Sequence, residues 1–172
     1  MCFEVDNKVV MHSATMNNRL DSPDVNLIPP AVFFSCLVLG GILEFIFPIN
    51  LTWLTFPFRL TFGFAVGASG FALMMFVHEK LKRAGTQVPT NQSASTLVIQ
   101  GAYRFSRNPM YVGGISFFIG MGISVGSLWI LAAVLLFSGY ISLYVVPREE
   151  AYMERTFGQA YRDYCLNVRR WL

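Results

Sequence analysis

The sequence predicts an all-α integral membrane protein with four transmembrane helices, a long cytoplasmic loop and a C-terminal amphipathic helix. Apolar residues make up 54% of the 172 residues, charged residues make up only 13%, and the mean hydropathy is +0.49. Soluble domains carry about 25% charged residues, so the composition excludes an ordinary soluble protein, and its apolar content excludes a disordered chain. The net charge of +3 is modest, and we expect no nucleic-acid partner.

Hydropathy divides the chain into a polar N-terminal segment, residues 1–28, and a membrane domain, residues 29–172. The N-terminal segment lacks the basic start and apolar run of a secretory signal, so we expect it to be retained. The first predicted span is 29–48, where Glu44 is the one charged residue, and the second is 58–78. Both match the length of about 20 residues that a transmembrane helix needs.

The third apolar stretch, residues 108–147, contains no Asp, Glu, Lys, Arg or His. As one helix it would be about 60 Å long, roughly twice the thickness of the hydrocarbon core. We therefore expect a helical hairpin with its hinge at Gly126 and Ser127, where turn residues interrupt the stretch. The third and fourth predicted spans are then 109–126 and 128–147.

The distribution of basic residues predicts the orientation. With four spans, both termini and the loop between spans two and three share one side of the membrane. Of the 13 Lys and Arg residues, only Arg59 falls on the other side. The positive-inside rule then places the loop and both termini in the cytoplasm, in a bacterial inner membrane or in the endoplasmic reticulum.

Residues 148–171 are predicted to form one amphipathic helix that lies at the cytoplasmic interface. Its apolar residues recur at spacings of three and four, as on one face of a helix. These residues are Met153, Phe157, Ala160, Tyr161, Tyr164, Val168 and Trp171.

Small and polar residues inside the spans have structural rather than functional interpretations. The pairs Gly63 and Gly67, and Gly122 and Gly126, allow close contact between helices. Glu44 would cost about 3 kcal/mol at the bilayer centre, but it lies near the end of its span. We expect it to reach the interface or to make a local hydrogen bond.

Cysteine and histidine are too sparse to indicate a metal site. Cys2, Cys36 and Cys165 are widely spaced, and the two histidines, His12 and His78, lie far apart. This pattern matches neither a disulfide framework nor a CxxC metal motif. We expect no metal ion.

The loop region 85–114 is the most informative part of the chain. It is long for a connection between two spans and combines turn residues with aromatic residues, as functional loops do. Pro109 suits the first turn of a helix, and Asn108 before it is a predicted N-cap. At the end of the fourth span, Glu149 and Glu150 either are solvated acids that complement a helix dipole or accept hydrogen bonds from a ligand.

These motifs together resemble a known family. The sequence GAYRFSRNPMYVG occupies residues 101–113, and it is followed by EE at 149–150, FG at 157–158, and Tyr161 and Tyr164. This series looks like that of the isoprenylcysteine carboxyl methyltransferase family and of the related phospholipid N-methyltransferases. Because several elements match at consistent spacing, the resemblance is more specific than any single motif.

The resemblance covers residues 85–171 and implies a membrane methyltransferase that uses S-adenosylmethionine. The cofactor would be enclosed by the cytoplasmic loop, the start of the third span and the C-terminal helix. The implied cofactor-binding residues are Ser95, Thr96, Leu97, Val98, Tyr103, Asn108, Pro109, Met110, Tyr111 and Glu149, with possible support from Gly101, Arg107 and Glu150.

The resemblance also implies a role for each group of residues. Residues 95–98 would supply mainly backbone groups, Tyr103 would line the pocket, and residues 108–111 would form its floor. Glu149 would bind a polar end of the cofactor, either the ribose hydroxyls or the ammonium group. A carboxylate against the sulfonium would stabilise the ground state and oppose catalysis. We therefore assign no catalytic residue, because catalysis would rest on positioning and on the exclusion of water.

Two departures from the family pattern concern the acceptor. The carboxyl methyltransferases have His where this chain has Asn108, and they have a substrate-binding arginine where this chain has Val145. An isoprenylcysteine carboxylate, a lipid amine and a small lipophilic thiol therefore all stay open as acceptors. We expect the acceptor to enter from the membrane lipids between apolar helices.

Two alternatives have different chemistry. A sterol-reductase-like enzyme would bind NADPH, although the chain is short and has no additional basic cluster suited to a 2′-phosphate. A non-catalytic membrane scaffold that retains the fold would bind neither cofactor.

Overall fold

The computed structural model describes residues 25, 27–52, 54–85 and 96–172. Within this part of the chain, a short 3₁₀ helix spans Gly101–Arg104 and a π-helical turn spans Ile141–Val145. Ser95 and almost all of the predicted N-terminal segment lie outside the described residues. The α-helices are α1 (Pro29–Ile46), α2 (Phe56–Arg83), α3 (Pro109–Val125), α4 (Leu128–Tyr140), α5 (Val146–Phe157) and α6 (Gln159–Asn167).

The predicted all-α membrane fold is confirmed. Among the described residues, three helices are long and apolar enough to cross a membrane: α1, α2 and the continuous helix Leu128–Phe157. The fourth apolar helix, α3, has 17 residues and a length of about 26 Å. It runs antiparallel to α2 and packs along it.

Glycines bring α2 and α3 into backbone contact. A Cβ atom placed on Gly120 would lie 2.3 Å from the backbone nitrogen of Gly67 and 2.6 Å from the carbonyl oxygen of Gly63. A Cβ atom on Gly70 would lie 2.6 Å from the carbonyl oxygen of Gly113. Small residues allow transmembrane helices to approach in this way, and the van der Waals contacts that result stabilise the pair. The predicted packing role of Gly63 and Gly67 is confirmed.

Aromatic side chains form the core between α1, α3 and α4. The Phe33 ring of α1 lies 4.7 Å from the Phe118 ring and 5.6 Å from the Phe137 ring, measured between centroids. Phe118 and Phe137 are buried. These contacts hold α1 in the groove between the other two helices.

The hinge of the helical hairpin is confirmed at Gly126 and Ser127. Gly126 has φ 79°, a left-handed conformation that ends α3 and that glycine adopts without steric cost. The Ser127 hydroxyl accepts a hydrogen bond from the backbone N–H of Ile130 at 3.2 Å and donates one to the Glu44 carboxylate at 2.6 Å. Ser127 therefore caps α4 and satisfies Glu44, which confirms the local hydrogen bond expected for that residue.

Replacing Ser127 with alanine is predicted to lower the free energy of unfolding by about 1–2 kcal/mol, because it removes the cap and the hydrogen bond to Glu44. Chemical unfolding in mixed micelles, followed by circular dichroism, measures the change. Glu44→Gln is the control, because its amide oxygen still accepts the Ser127 hydrogen bond. Equal stability of Ser127→Ala and the wild-type chain would contradict this account.

The predicted single amphipathic helix over residues 148–171 is wrong. The fourth span continues through the π-helical turn into α5, which ends at Phe157 because Gly158 has φ 56°. α6 then ends at Asn167. Trp171 packs against the hydrophobic core between the apolar helices, and it does not continue the apolar face of the predicted amphipathic helix. The second span also runs further than the predicted 58–78, since α2 reaches Arg83.

Different segments of the chain lie at the two ends of the apolar helices, which we call the site end and the far end. The site end comprises the start of α1, residues 96–108 and residues 148–172, and the far end comprises residues 47–52, residues 54 and 55, and the hinge. Arg59 lies near the far end, with its guanidinium packed on Gly126. The apolar helices between these ends expose large side chains, as surfaces that face lipid do.

Candidate functional site

A hydrogen bond joins the starts of α3 and α5 at the site end. Pro109 begins α3, and Tyr111 lies in its first turn; Glu149 lies in the first turn of α5. The Tyr111 hydroxyl donates to the Glu149 carboxylate at 2.7 Å, between residues that are 38 positions apart. This contact brings together two residues that the sequence predicted for one site.

Tyr103 lies beside this pair. Its backbone carbonyl oxygen accepts a hydrogen bond from the Tyr164 hydroxyl at 2.7 Å, which ties the 3₁₀ helix to α6. Burial raises the pKa of the Tyr103 phenol, and the neighbouring Tyr164 and Glu149 side chains raise it further. Tyr103 therefore stays protonated at neutral pH, and its phenol is able to donate a hydrogen bond.

Glu150 is the centre of an ion-pair cluster. Its carboxylate lies 3.1 Å from the Arg107 guanidinium and 2.5 Å from the Arg170 guanidinium. Burial opposes the charge on Arg107, but the Glu150 carboxylate raises the pKa of that guanidinium overall. Neither acid is simply solvated, because Glu149 accepts the Tyr111 hydroxyl and Glu150 pairs with two arginines, although Glu149 does lie in the first turn of α5.

Asn108 occupies the N-cap position of α3, but its side chain makes no capping hydrogen bond. Its Nδ2 donates to the carbonyl oxygen of Arg170 at 3.0 Å. The Ser106 hydroxyl accepts the backbone N–H of Asn108 at 3.1 Å and donates to the same Arg170 oxygen at 3.3 Å. The predicted side-chain cap is thus wrong, because the Asn108 amide is oriented by the hydrogen bond that its Nδ2 donates to a carbonyl group distant in sequence.

The predicted backbone-binding segment is only partly described. Leu97 is buried against Tyr161 and Tyr164 of α6, while Thr96 and Val98 are half-buried. Among the other predicted residues, Pro109 is buried and Met110 is half-buried, both at the start of α3.

A cavity of about 460 Å³ lies between residues 97–104 and α6. Its lining includes Leu97, Arg104 and Tyr164, but not Tyr111 or Glu149. The structure therefore divides the predicted residues. Tyr111 and Glu149 are in contact, and Glu149 is close enough to Tyr103 to raise the pKa of its phenol. Asn108 and Glu150 contact the C-terminal tail, and Leu97 faces this separate cavity.

Lys80 lies against the loop at the site end, which the sequence did not predict. The predicted supporting residue Gly101 has φ 68°, and a Cβ atom on it would lie 2.9 Å from the Lys80 ammonium nitrogen. The sequence indicated only that Lys80 follows the second span. Its approach to the loop depends on the extension of α2 to Arg83, which hydropathy did not predict.

Val145 is fully buried in the hydrophobic core between the apolar helices, and it is the last residue of the π-helical turn. The neighbouring cation, Arg148, stacks on the Tyr144 ring at 3.7 Å and donates to the Tyr144 carbonyl oxygen at 3.0 Å. No cation therefore stands at the position where the carboxyl methyltransferases have their substrate arginine. Among the described residues, His, Cys, Asp and Glu form no group of three that could hold a metal ion.

Comparisons with known proteins agree with the resemblance. A family model described as phospholipid methyltransferase matches residues 58–160. A stretch of 63 residues is 33% identical to an uncharacterized protein of Haemophilus influenzae, covering 37% of this chain and 100% of that protein. No solved structure matches the chain significantly.

Proposed function

This chain belongs to the phospholipid methyltransferase family, and we propose that it transfers a methyl group from S-adenosylmethionine to a lipophilic acceptor at the membrane surface. The hydrogen bond from Tyr111 to Glu149 carries the proposal. It joins the two motifs that carry the resemblance, RNPMY and EE, at one end of a set of apolar helices. A scaffold that only retained the fold would not need an oriented carboxylate there.

The residues present fit this cofactor. Glu149 is an oriented acceptor for the ribose hydroxyls or the ammonium group, and Tyr111 holds its carboxylate in place through the 2.7 Å hydrogen bond. Tyr103 adds a protonated phenol beside the carboxylate. The proposed binding set also keeps residues 95–98 and 108–111, with Gly101, Arg107 and Glu150 in support, although Leu97 faces the separate cavity and Asn108 contacts the C-terminal tail. When bound, S-adenosylmethionine supplies a methyl group already activated on a sulfonium.

The chain's own contribution is therefore to bind, orient and exclude water. An in-line arrangement of nucleophile and methyl group removes much of the entropic barrier of a bimolecular reaction. Neither a metal nor a strong base is required for this, and the protonated Tyr103 is consistent with it. We propose that the acceptor approaches from the bilayer along the exposed apolar surfaces of the helices.

The acceptor is a lipid amine, a small lipophilic thiol or an isoprenylcysteine carboxylate. The buried Val145 disfavours the last of these, because it leaves no arginine one turn before Glu149 to bind a carboxylate. We further propose that the site end faces the cytoplasm, since nearly all of the 13 basic residues belong to the segments on that side.

Equilibrium titration of the purified full chain in lipid nanodiscs tests the cofactor. We expect saturable binding of S-adenosylmethionine and no binding of NADPH. Binding of NADPH alone would favour a reductase, and binding of neither would favour a scaffold; each result would contradict the proposal.

A further inference from the structure

The last five residues, 168–172, form a segment that we call the C-terminal strap. α6 ends at Asn167, and Val168 has the extended angles φ −130° and ψ 132°. The strap then crosses the start of α3 and ends near the membrane helices, where Trp171 packs against their core. It thus contacts both the site and the transmembrane part of the molecule.

Three hydrogen bonds attach the backbone of the strap to the residues before α3. The backbone N–H of Arg107 donates to the carbonyl oxygen of Arg169 at 2.9 Å. The Ser106 hydroxyl and the Asn108 amide both donate to the carbonyl oxygen of Arg170, at 3.3 Å and 3.0 Å. The strap therefore determines the direction in which the Asn108 amide points.

The side chain of Arg170 attaches the strap to α5. Its Nε and Nη2 atoms lie 3.1 Å and 2.5 Å from the two oxygens of Glu150. This forked geometry fixes orientation as well as adding energy. Glu150 is adjacent to Glu149, so Arg170 connects the start of α5 to the start of α3.

We propose that Arg170 is a positioning residue, which holds the strap closed so that Asn108 and Glu149 keep the geometry that binds the cofactor. This inference rests on the proposed function. The strap joins the two helix starts that form the site through hydrogen bonds from the buried Ser106 and Asn108 and through the ion pair of the partly exposed Arg170. The strap belongs to neither α3 nor α5, so it can open without unfolding either helix, and it is a separable part of the binding site.

The coupling between closure of the strap and binding of the cofactor must act in both directions. If closure of the strap strengthens cofactor binding, then bound cofactor must favour the closed strap by the same free energy. A residue that only stabilised the fold would change the unfolding free energy without this coupling.

The test compares Arg170→Gln, Arg170→Lys and the control Arg162→Gln. Arg162 also pairs with a glutamate of α5, Glu154 at 3.3 Å, but both side chains are about half exposed, and they lie outside the proposed site. We measure the Kd for S-adenosylmethionine, its KM and kcat with a methylatable acceptor, and thermal unfolding, all on the full chain in nanodiscs.

We expect Arg170→Gln to raise the Kd and KM for S-adenosylmethionine about tenfold, the effect of losing one charge-assisted hydrogen bond, with kcat unchanged at saturation. Arg170→Lys should recover part of the affinity, and Arg162→Gln should match the wild-type chain. If Arg170→Gln does not fold, Arg170→Lys, which keeps the charge but loses the forked contact, decides the question, with a smaller rise in Kd expected. An unchanged Kd, or an equal loss of affinity in Arg162→Gln, would overturn the proposal.

Fluorescence of Trp171 provides the reciprocal measurement. In a chain carrying Trp53→Phe and Trp129→Phe, Trp171 is the remaining one of the 3 tryptophans. Addition of S-adenosylmethionine should reduce quenching of Trp171 by acrylamide. If the chain binds the cofactor but the quenching does not change, the proposed role of the strap is refuted and the proposed function stands. A wild-type chain that binds no S-adenosylmethionine would instead refute the proposed function.

Discussion

Glu149→Gln is expected to raise the Kd for S-adenosylmethionine by about 10- to 100-fold. The substitution keeps the size of the side chain but removes the negative charge and one acceptor, and hydrogen bonds to a charged group contribute about 1.5–3 kcal/mol. The carboxylate that accepts the Tyr111 hydroxyl at 2.7 Å would no longer bind ribose hydroxyls or an ammonium group with the same strength. Isothermal titration or a filter-binding assay measures the change.

Glu154→Gln is the matched control for this prediction. Glu154 lies on the same helix, but it is half exposed and pairs with Arg162 instead of with a residue of α3. Its substitution should leave the Kd unchanged, because exposed ion pairs contribute little. Equal affinities of Glu149→Gln and the wild-type chain would refute the role of Glu149 as a cofactor ligand.

Gly120→Ala is expected to lower the free energy of unfolding by about 3 kcal/mol, at the upper end of the usual cost of overpacking a core. The new Cβ atom would lie 2.3 Å from the backbone nitrogen of Gly67. Because the clash is with backbone and not with a flexible side chain, α2 and α3 must separate and lose contacts along their length. Unfolding by sodium dodecyl sulfate in mixed micelles, followed by circular dichroism, measures the loss.

Gly114→Ala on the same helix is the control. Nothing lies within 4 Å of a Cβ atom at Gly114, so this change should be neutral or should stabilise the helix by up to about 1 kcal/mol. If Gly120→Ala is as stable as Gly114→Ala, the close packing of α2 on α3 is incorrect.

The membrane helices could be predicted from the sequence because their signals are local. A long apolar stretch interrupted by Gly126 and Ser127 predicts a hairpin, and the structure has its turn at those residues. The end of α2 at Arg83 was missed because the helix continues beyond the bilayer into charged residues. Hydropathy indicates the length of the membrane segment and not the length of the helix.

The C-terminal region was harder to predict because the helical spacing of its apolar residues continues across the break between α5 and α6. Met153, Phe157 and Tyr161 keep helical intervals on both sides of Gly158, so the pattern does not reveal that Gly158 adopts φ 56°. Trp171 matches the same spacing, but it follows the end of α6 and packs against a different part of the core.

The candidate site depended on contacts between distant residues. A shared site for Tyr111 and Glu149 was expected only through the family resemblance, and their direct contact was not predicted, since no local pattern relates residues 38 positions apart. Asn108 had the right residue type for an N-cap, but its Nδ2 donates to the Arg170 carbonyl oxygen, 62 positions away, and this hydrogen bond orients the amide. Orientation of this kind is a tertiary effect, and a single sequence carries no signal of it.

Transfer of a labelled methyl group tests the central claim most directly. The full chain in nanodiscs made from natural lipid extract is incubated with S-adenosylmethionine labelled on its methyl carbon, and the label is then partitioned between water and organic solvent. We predict that the wild-type chain transfers label to the organic phase and that Glu149→Gln transfers far less at the same cofactor concentration. Label that stays in the aqueous phase with every class of lipophilic acceptor tested (amine, thiol and carboxylate), while the cofactor is bound, would contradict the assignment as a membrane methyltransferase.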